Sequence, residues 1–289
     1  MDVPFRLLDV FTDRPFAGNQ LCVVPQTPPG LGADQMQTLA REIGFSETTF
    51  VTARRPNGYD VRIFTPPEEI PFAGHPTIGT AFALVAERLV SSPLVQHCAA
   101  GEIPVEVDLA RGTATMRQLP PEFGPDFQDR QAVAAGAGLT VSDLVEELPV
   151  VAVSTGIAHL MVPVRTEAAL RRAVRSDAAC QAACVAAGAE SLYLFTVRGP
   201  GDVMARMFDR WPSIGEDPAT GSAAGPLGAY LAVHELAGLP GQAVVAQGEM
   251  VGRPSLLYVE VEREGGGWAV GVAGGVQIVG RGVFRIGPD

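Results

Sequence analysis

Hydrophobic and polar positions in the first part of the chain switch between the two-residue period of strands and the longer period of helices. Residues 5–11 alternate as a first strand, residues 13–19 form a breaker-rich turn, and Leu21-Cys22-Val23-Val24 is a short apolar strand. Met36, Leu39, Ala40 and Ile43 share one helical face, with Gly44 placed to cap that helix. Residues 45–51 and 59–64 are β-prone, and a second helix is expected over about 77–89, after the turn Thr65-Pro66-Pro67. Strands near 103–109 and 113–118 form a hairpin through Arg111-Gly112.

The Pro-rich stretch 119–125 is expected to be a linker, because the order of elements restarts beyond it. Residues 150–162 parallel 18–24, a helical region covers about 167–187, and 191–197 parallel 46–51. The clearest repeat lies between Ala73-Gly74-His75-Pro76-Thr77-Ile78-Gly79-Thr80-Ala81 and Gly215-Glu216-Asp217-Pro218-Ala219-Thr220-Gly221-Ser222-Ala223. Aligning His75 with Asp217, an offset of 142 residues, superposes Pro76 on Pro218, Gly79 on Gly221 and Thr80 on Ser222. Each segment follows an Arg-x-Phe run, Arg62-Ile63-Phe64 or Arg206-Met207-Phe208. The chain therefore divides into two copies of one unit: a lobe over 1–118, completed by a C-terminal strand at 279–287, and a lobe over 119–278. The helices at 81–86 and 223–233 are apolar nearly all round and so belong inside their lobes. The expected fold is α+β: two pseudo-symmetric lobes, each a barrel-like, mostly antiparallel sheet around a central helix, with a cleft between them.

Composition removes several classes of function. The net charge of -11, with no clustered basic residues, argues against nucleic acid as a partner. All 21 basic residues are Arg; without Lys there is no Schiff-base lysine, covalently held pyridoxal phosphate or P-loop lysine. No run approaches the roughly 20 apolar residues of a membrane span, and the N-terminus lacks the pattern of a signal peptide. Cys22, Cys98, Cys180 and Cys184 have no metal-site spacing and are expected to be reduced thiols of a cytoplasmic protein, with Cys180 and Cys184 one turn apart on a helix. His97, His159 and His234 are dispersed and are taken as structural; Glu68, Glu69 and Glu216 are taken as solvated or turn-forming. The Gly-rich strings near the C-terminus lack dinucleotide-binding spacing.

The two repeated helix starts suggest a site. Free backbone N–H groups and partial positive charge at a helix start favour an anion, and Gly74, Gly79 and Gly221 permit close backbone approach. A substrate carboxylate could be held there without Lys. Taken alone, His75 is as readily a packed histidine as a functional one, Asp217 reads as a helix N-cap, and Glu47 reads as a solvated residue at a strand start.

Five stretches together resemble the PhzF phenazine-biosynthesis family: Ala17-Gly18-Asn19, Phe45-Ser46-Glu47-Thr48-Thr49-Phe50, Pro71 through Ala81, Glu216 through Ala223, and Gly252-Arg253-Pro254-Ser255. The resemblance covers essentially the whole chain; it departs at Gln20, where the family has Pro. It implies a diaminopimelate-epimerase-like fold, a site between the lobes, a homodimer, and neither metal nor organic cofactor. Carried onto this sequence, it makes Glu47 the proton-shuttling acid/base, has His75 and Asp217 hydrogen-bond the substrate, and has Ser222 supply a hydroxyl. Gly74, Pro76, Thr77, Thr220, Gly221 and Asn19 complete the expected substrate contacts. A carboxylate sheltered in an apolar cleft has a raised pKa, which suits proton transfer near neutrality. The second copy has no acid in the stretch Ser191-Leu192-Tyr193, and the paired cysteines of related epimerases are missing at both helix starts. The expected reaction is thus an isomerisation in which one carboxylate moves a proton between two carbons of a small carboxylate-bearing metabolite. A binding or regulatory protein without chemistry, or an epimerase or lyase on the same scaffold, are the alternatives.

Overall fold

A computed structural model describes residues 1–287, which divide into two compact units: Met1–Arg117 with the described chain from Ala273 onward, and Gln118–Val272. The first unit runs β1 (Asp2–Val10), β2 (Asn19–Val24), α1 (Ala33–Ile43), β3 (Glu47–Arg55), β4 (Gly58–Phe64), β5 (Glu69–Ile70), α2 (Gly74–Ala86), β6 (Leu94–Cys98), β7 (Gly101–Asp108) and β8 (Thr113–Arg117). Its sheet closes on itself. The long last strand of the chain, Gly267–Arg285, pairs with β1 at one side and β8 at the other, and β1-β2-β3-β4-β6-β7-β8 complete the ring. Only β2–β3 and β4–β6 are parallel among the registered pairs; a closed barrel leaves no free edge. Helix α2 packs on β1, β2, β7 and β8 and is buried from Gly74 through Leu84, as the all-round apolar pattern requires. Amphipathic α1 covers the sheet elsewhere, with Met36, Leu39 and Ala40 against Phe50 and Phe64, and Gly44 caps it at φ 68°.

The second unit contains β9 (Glu122–Asp126), α3 (Arg130–Gly136), β10 (Val151–Ser154), β11 (Ala158–Pro163), α4 (Glu167–Arg172), α5 (Asp177–Ala187), β12 (Ser191–Gly199), β13 (Asp202–Asp209), β14 (Glu216–Asp217), α6 (Gly221–Val233), β15 (Gly241–Gln247), β16 (Ser255–Glu264) and the first part of β17, the strand Gly267–Arg285. Its pairings repeat those of the first unit. β10–β11 answers β1–β2, parallel β11–β12 answers β2–β3, and β12–β13 answers β3–β4. The short β13–β14 pair answers β4–β5, and parallel β13–β15 answers β4–β6. Helix α6 packs on β10, β11 and β16 and is buried from Gly221 through Ala232. The architecture is the expected α+β pair of strand-rich units, each with a buried central helix.

Several local expectations need correction. The stretch 119–125 is not a featureless linker: Glu122–Asp126 forms β9, wholly exposed but held by backbone pairing to β10. The helix expected over 77–89 spans Gly74–Ala86, because Pro in a first turn loses no intrahelical hydrogen bond and Pro76 can sit there. The helical region 167–187 is two helices, parted where Ala173 turns extended at ψ 137°.

Candidate functional site

In the first unit the parallel register sets Leu21 beside Glu47, so the starts of β2 and β3 lie at one end of the barrel. Asn19 opens β2, Glu47 opens β3, and His75 is the second residue of α2. These three meet. Ser46 Oγ donates to Asn19 Oδ1 at 3.1 Å, and Asn19 Nδ2 lies 3.1 Å from His75 Nδ1. An amide nitrogen can only donate, so Nδ1 accepts and a neutral ring keeps its proton on Nε2. Nε2 faces Glu47 Oε2 at 3.3 Å, outside hydrogen-bond geometry.

Burial pushes the His75 pKa down to about 3, with the Gln20 backbone opposing only in part, so the ring is neutral near pH 7. The Glu47–His75 contact is therefore carboxylate against neutral imidazole rather than an ion pair. Glu47 is only 16% exposed at its side chain. Ala73, at the N-cap of α2, has no capping side chain, which leaves the first-turn N–H groups of Gly74 and His75 without that partner; Pro76 has none. The Thr77 hydroxyl is committed to the fold: it donates to the Ala73 carbonyl and accepts from Gln96 Nε2, whose Oε1 accepts from Tyr59.

The second unit builds the matching helix start differently. Asp217 lies in β14, opposite Met207, and Thr220 holds the N-cap position, so Asp217 is not the cap that its sequence position suggests. Thr220 Oγ1 donates to Asp217 Oδ2 at 2.6 Å and accepts from Gln247 Nε2, which also donates to the Asp217 carbonyl. Gln247 Oε1 accepts from Tyr193, as Gln96 does from Tyr59. Burial, and then the Asp217 carboxylate, push the Tyr193 pKa upward and keep that phenol a donor. Gly221 and Ser222 open α6, and both are buried.

Two residues set aside in the sequence belong to this framework. Glu216 is not solvated: Arg206 holds it with two bonds, Nε to Oε1 at 2.9 Å and a second guanidinium nitrogen to Oε2 at 2.6 Å. Glu69 makes the corresponding pair with Arg62 in the first unit but stays exposed, as expected. His159, on β11, touches Ser222, a contact hidden from any motif because the two residues lie 63 positions apart. Among the described residues no group of three or more His, Cys, Asp or Glu is arranged to hold a metal ion, and no helix is long and apolar enough to cross a membrane. All four cysteines are free.

Residues 8–284 match the family model described as phenazine biosynthesis-like protein, PhzC-PhzF. A trans-2,3-dihydro-3-hydroxyanthranilate isomerase of Pseudomonas aeruginosa is 34% identical over 265 residues, 90% of this chain and 91% of the relative. A Bacillus anthracis phenazine biosynthesis protein of the PhzF family has a solved structure that superposes with a TM-score of 0.87 at 28% identity, over 99% of this chain and all of that one. A probable proline racemase from Agrobacterium radiobacter superposes at 0.67 and 14% identity, covering 99% and 93% of the two chains, a likeness of fold alone.

Proposed function

The chain belongs to the phenazine biosynthesis-like family, and we propose that, as an isomerase of that family, it moves a proton between two carbons of a small carboxylate-bearing metabolite with Glu47 as general acid/base. The observation that carries this reading is the Glu47–His75 pair: a sheltered carboxylate 3.3 Å from a neutral imidazole nitrogen in the first turn of a buried helix. A carboxylate kept from solvent is a stronger base toward a carbon acid than one in water.

In the proposed step the Glu47 carboxylate takes a proton from an activated substrate carbon. The C–H electron pair shifts the adjacent double bond, and the Glu47 carboxylic acid returns the proton to the carbon at the far end of the unsaturated system. One proton is removed and one returned, so the step balances without oxidant, reductant or other co-reactant, and deuterium enters when the Glu47 carboxylic-acid proton exchanges with solvent before it is returned. Independence from any cofactor is accordingly part of the proposal. The His75 Nε2–H and the first-turn amides of α2, chiefly Gly74 and His75, would hold substrate oxygens, where a helix start favours negative charge. Asp217 and Ser222, with the backbone at Thr220 and Gly221, are proposed as further substrate contacts. Homodimeric assembly and a cytoplasmic location complete the proposal and are checked by light scattering and cell fractionation.

The test uses trans-2,3-dihydro-3-hydroxyanthranilate, the compound in the name of the Pseudomonas aeruginosa relative, beside a panel of unsaturated amino-substituted carboxylic acids in heavy water. Deuterium incorporation that depends on Glu47 supports the isomerase. Tight binding with no exchange in the whole panel would instead support a protein that binds without chemistry.

A further inference from the structure

The second unit holds a buried imidazole with a hydroxyl at each nitrogen. His159 Nδ1 lies 2.8 Å from Ser191 Oγ, and Nε2 lies 3.1 Å from Ser222 Oγ. The ring is 2% exposed and Ser191 not at all. Burial lowers its pKa to about 3, so it is neutral near pH 7. A neutral imidazole carries one donor and one acceptor, so the two serines cannot play the same part.

In one tautomer Nδ1 accepts from Ser191 and Nε2–H donates to Ser222, which leaves the Ser222 proton to point elsewhere. In the other, Ser222 spends its proton on the ring and offers a ligand only lone pairs. Ser222 is the second residue of α6, where the helix start attracts an acceptor oxygen bearing negative charge. A hydroxyl that meets such an oxygen must donate. The first tautomer is the one that suits this place.

Register adds a second observation. Leu160 pairs with Leu192 in β11–β12 as Leu21 pairs with Glu47 in β2–β3, which sets His159 in the place of Gln20 and Ser191 in that of Ser46. Both units thus put an imidazole against a central helix start, with a serine from the neighbouring strand region behind it. The first delivers the imidazole from the helix, as His75; the second delivers it from the strand, as His159.

We propose that His159 is a positioning residue: held by Ser191, it donates from Nε2 to Ser222 and so directs the Ser222 proton toward a carboxylate or carbonyl oxygen of the substrate. This rests on the reading that Ser222 contacts substrate. In kinetics with trans-2,3-dihydro-3-hydroxyanthranilate, or whichever panel acid exchanges, His159→Phe should raise KM about tenfold, the loss of one well-placed hydrogen bond, with a smaller change in kcat. His159→Gln, which can place an amide N–H near Ser222, should recover much of that loss, and His159→Phe combined with Ser222→Ala should be no worse than either alone. Independently of turnover, 15N spectra of histidine-labelled protein should show the His159 ring protonated at Nε2 and unprotonated at Nδ1. The opposite tautomer, or a folded His159→Phe protein with unchanged KM, overturns the inference. Because the tautomer is read without substrate, it stays decisive if His159→Phe does not fold. Failure of the isomerase reading would show separately, as full turnover in Glu47→Gln.

Discussion

Arg206 and Glu216 form a two-pronged ion pair that ties β13 to β14, one residue before Asp217. The remaining guanidinium nitrogen of Arg206 donates to the carbonyls of Leu170, Arg171 and Ala173, so one buried side chain fixes both the end of α4 and the strand that carries Asp217. Arg62 and Glu69 make the same pair in the first unit, but their side chains are 35% and 41% exposed against 7% and 14%. Removing one partner of a buried pair strands the other charge and costs about 3–5 kcal/mol, whereas an exposed pair is worth about 0–1 kcal/mol. Arg206→Ala should therefore destabilise the protein severely while Arg62→Ala stays within about 1 kcal/mol, as measured by urea denaturation. Equal losses would contradict the account.

Gly79 lets α2 settle against β1 and β2. A Cβ there would stand 2.6 Å from Leu21 Cδ2 and 2.8 Å from Val10 Cγ2. Overpacking of this kind costs about 1–3 kcal/mol, and Gly79→Ala should show that loss in thermal or urea unfolding. Gly199, where an added Cβ meets nothing within 4 Å, serves as the control: Gly199→Ala should change stability by no more than about 0.5 kcal/mol. The register ties Leu21 to Glu47, so Gly79→Ala should also lower turnover.

The acid side of the stability profile carries opposing contributions. His75 and His159 are held near pKa 3 by burial, against 6.5 when exposed. As pH falls below 6.5 the unfolded chain takes up these protons and the folded one does not, so their contribution is complete above 6.5 and is lost downward. Asp209 runs the other way: burial raises it from 3.8 to about 7, so its contribution is complete below 3.8 and is lost as pH rises toward 7. Between about pH 4 and 6.5 one proton on Asp209 offsets one of the two histidine protons. Asp209→Asn retains an acceptor for the Trp211 N–H, which bonds Asp209 Oδ1 at 2.7 Å, but cannot titrate. In that window its unfolding free energy should rise with pH more steeply than the wild type, by about 1.4 kcal/mol per pH unit. Parallel profiles would refute the opposition.

Much of the framework was legible in the sequence because it rests on short-range pattern. The alternation in β7, the apolar face of α1, and the repeat joining His75 to Asp217 are local signals that the structure keeps. Glu47, Asn19 and His75 do meet, a grouping the family resemblance implied and periodicity alone could not. What escaped notice depends on contacts distant in sequence or made by backbone. β9 is exposed on every residue and exists through its pairing with β10, so no side-chain pattern marks it. Asp217 has the residue type of an N-cap, yet Thr220 occupies the cap and spends its hydroxyl on Asp217. His159 has no motif at all, since Ser191 and Ser222 reach it from 32 and 63 positions away. Glu216 looked solvated because its Arg206 partner sits on the preceding strand, ten positions back.

The most direct test of Glu47 as the acid/base is Glu47→Gln, which keeps the shape beside His75 and removes the base. Positioned general acid/base catalysis contributes about 10²–10⁴-fold, so deuterium incorporation from heavy water and turnover of trans-2,3-dihydro-3-hydroxyanthranilate, or of the panel acid that exchanges, should fall by at least about 100-fold. Circular dichroism and substrate binding should stay close to the wild type. Turnover within a few-fold of the wild type in folded Glu47→Gln protein would contradict the account at its centre.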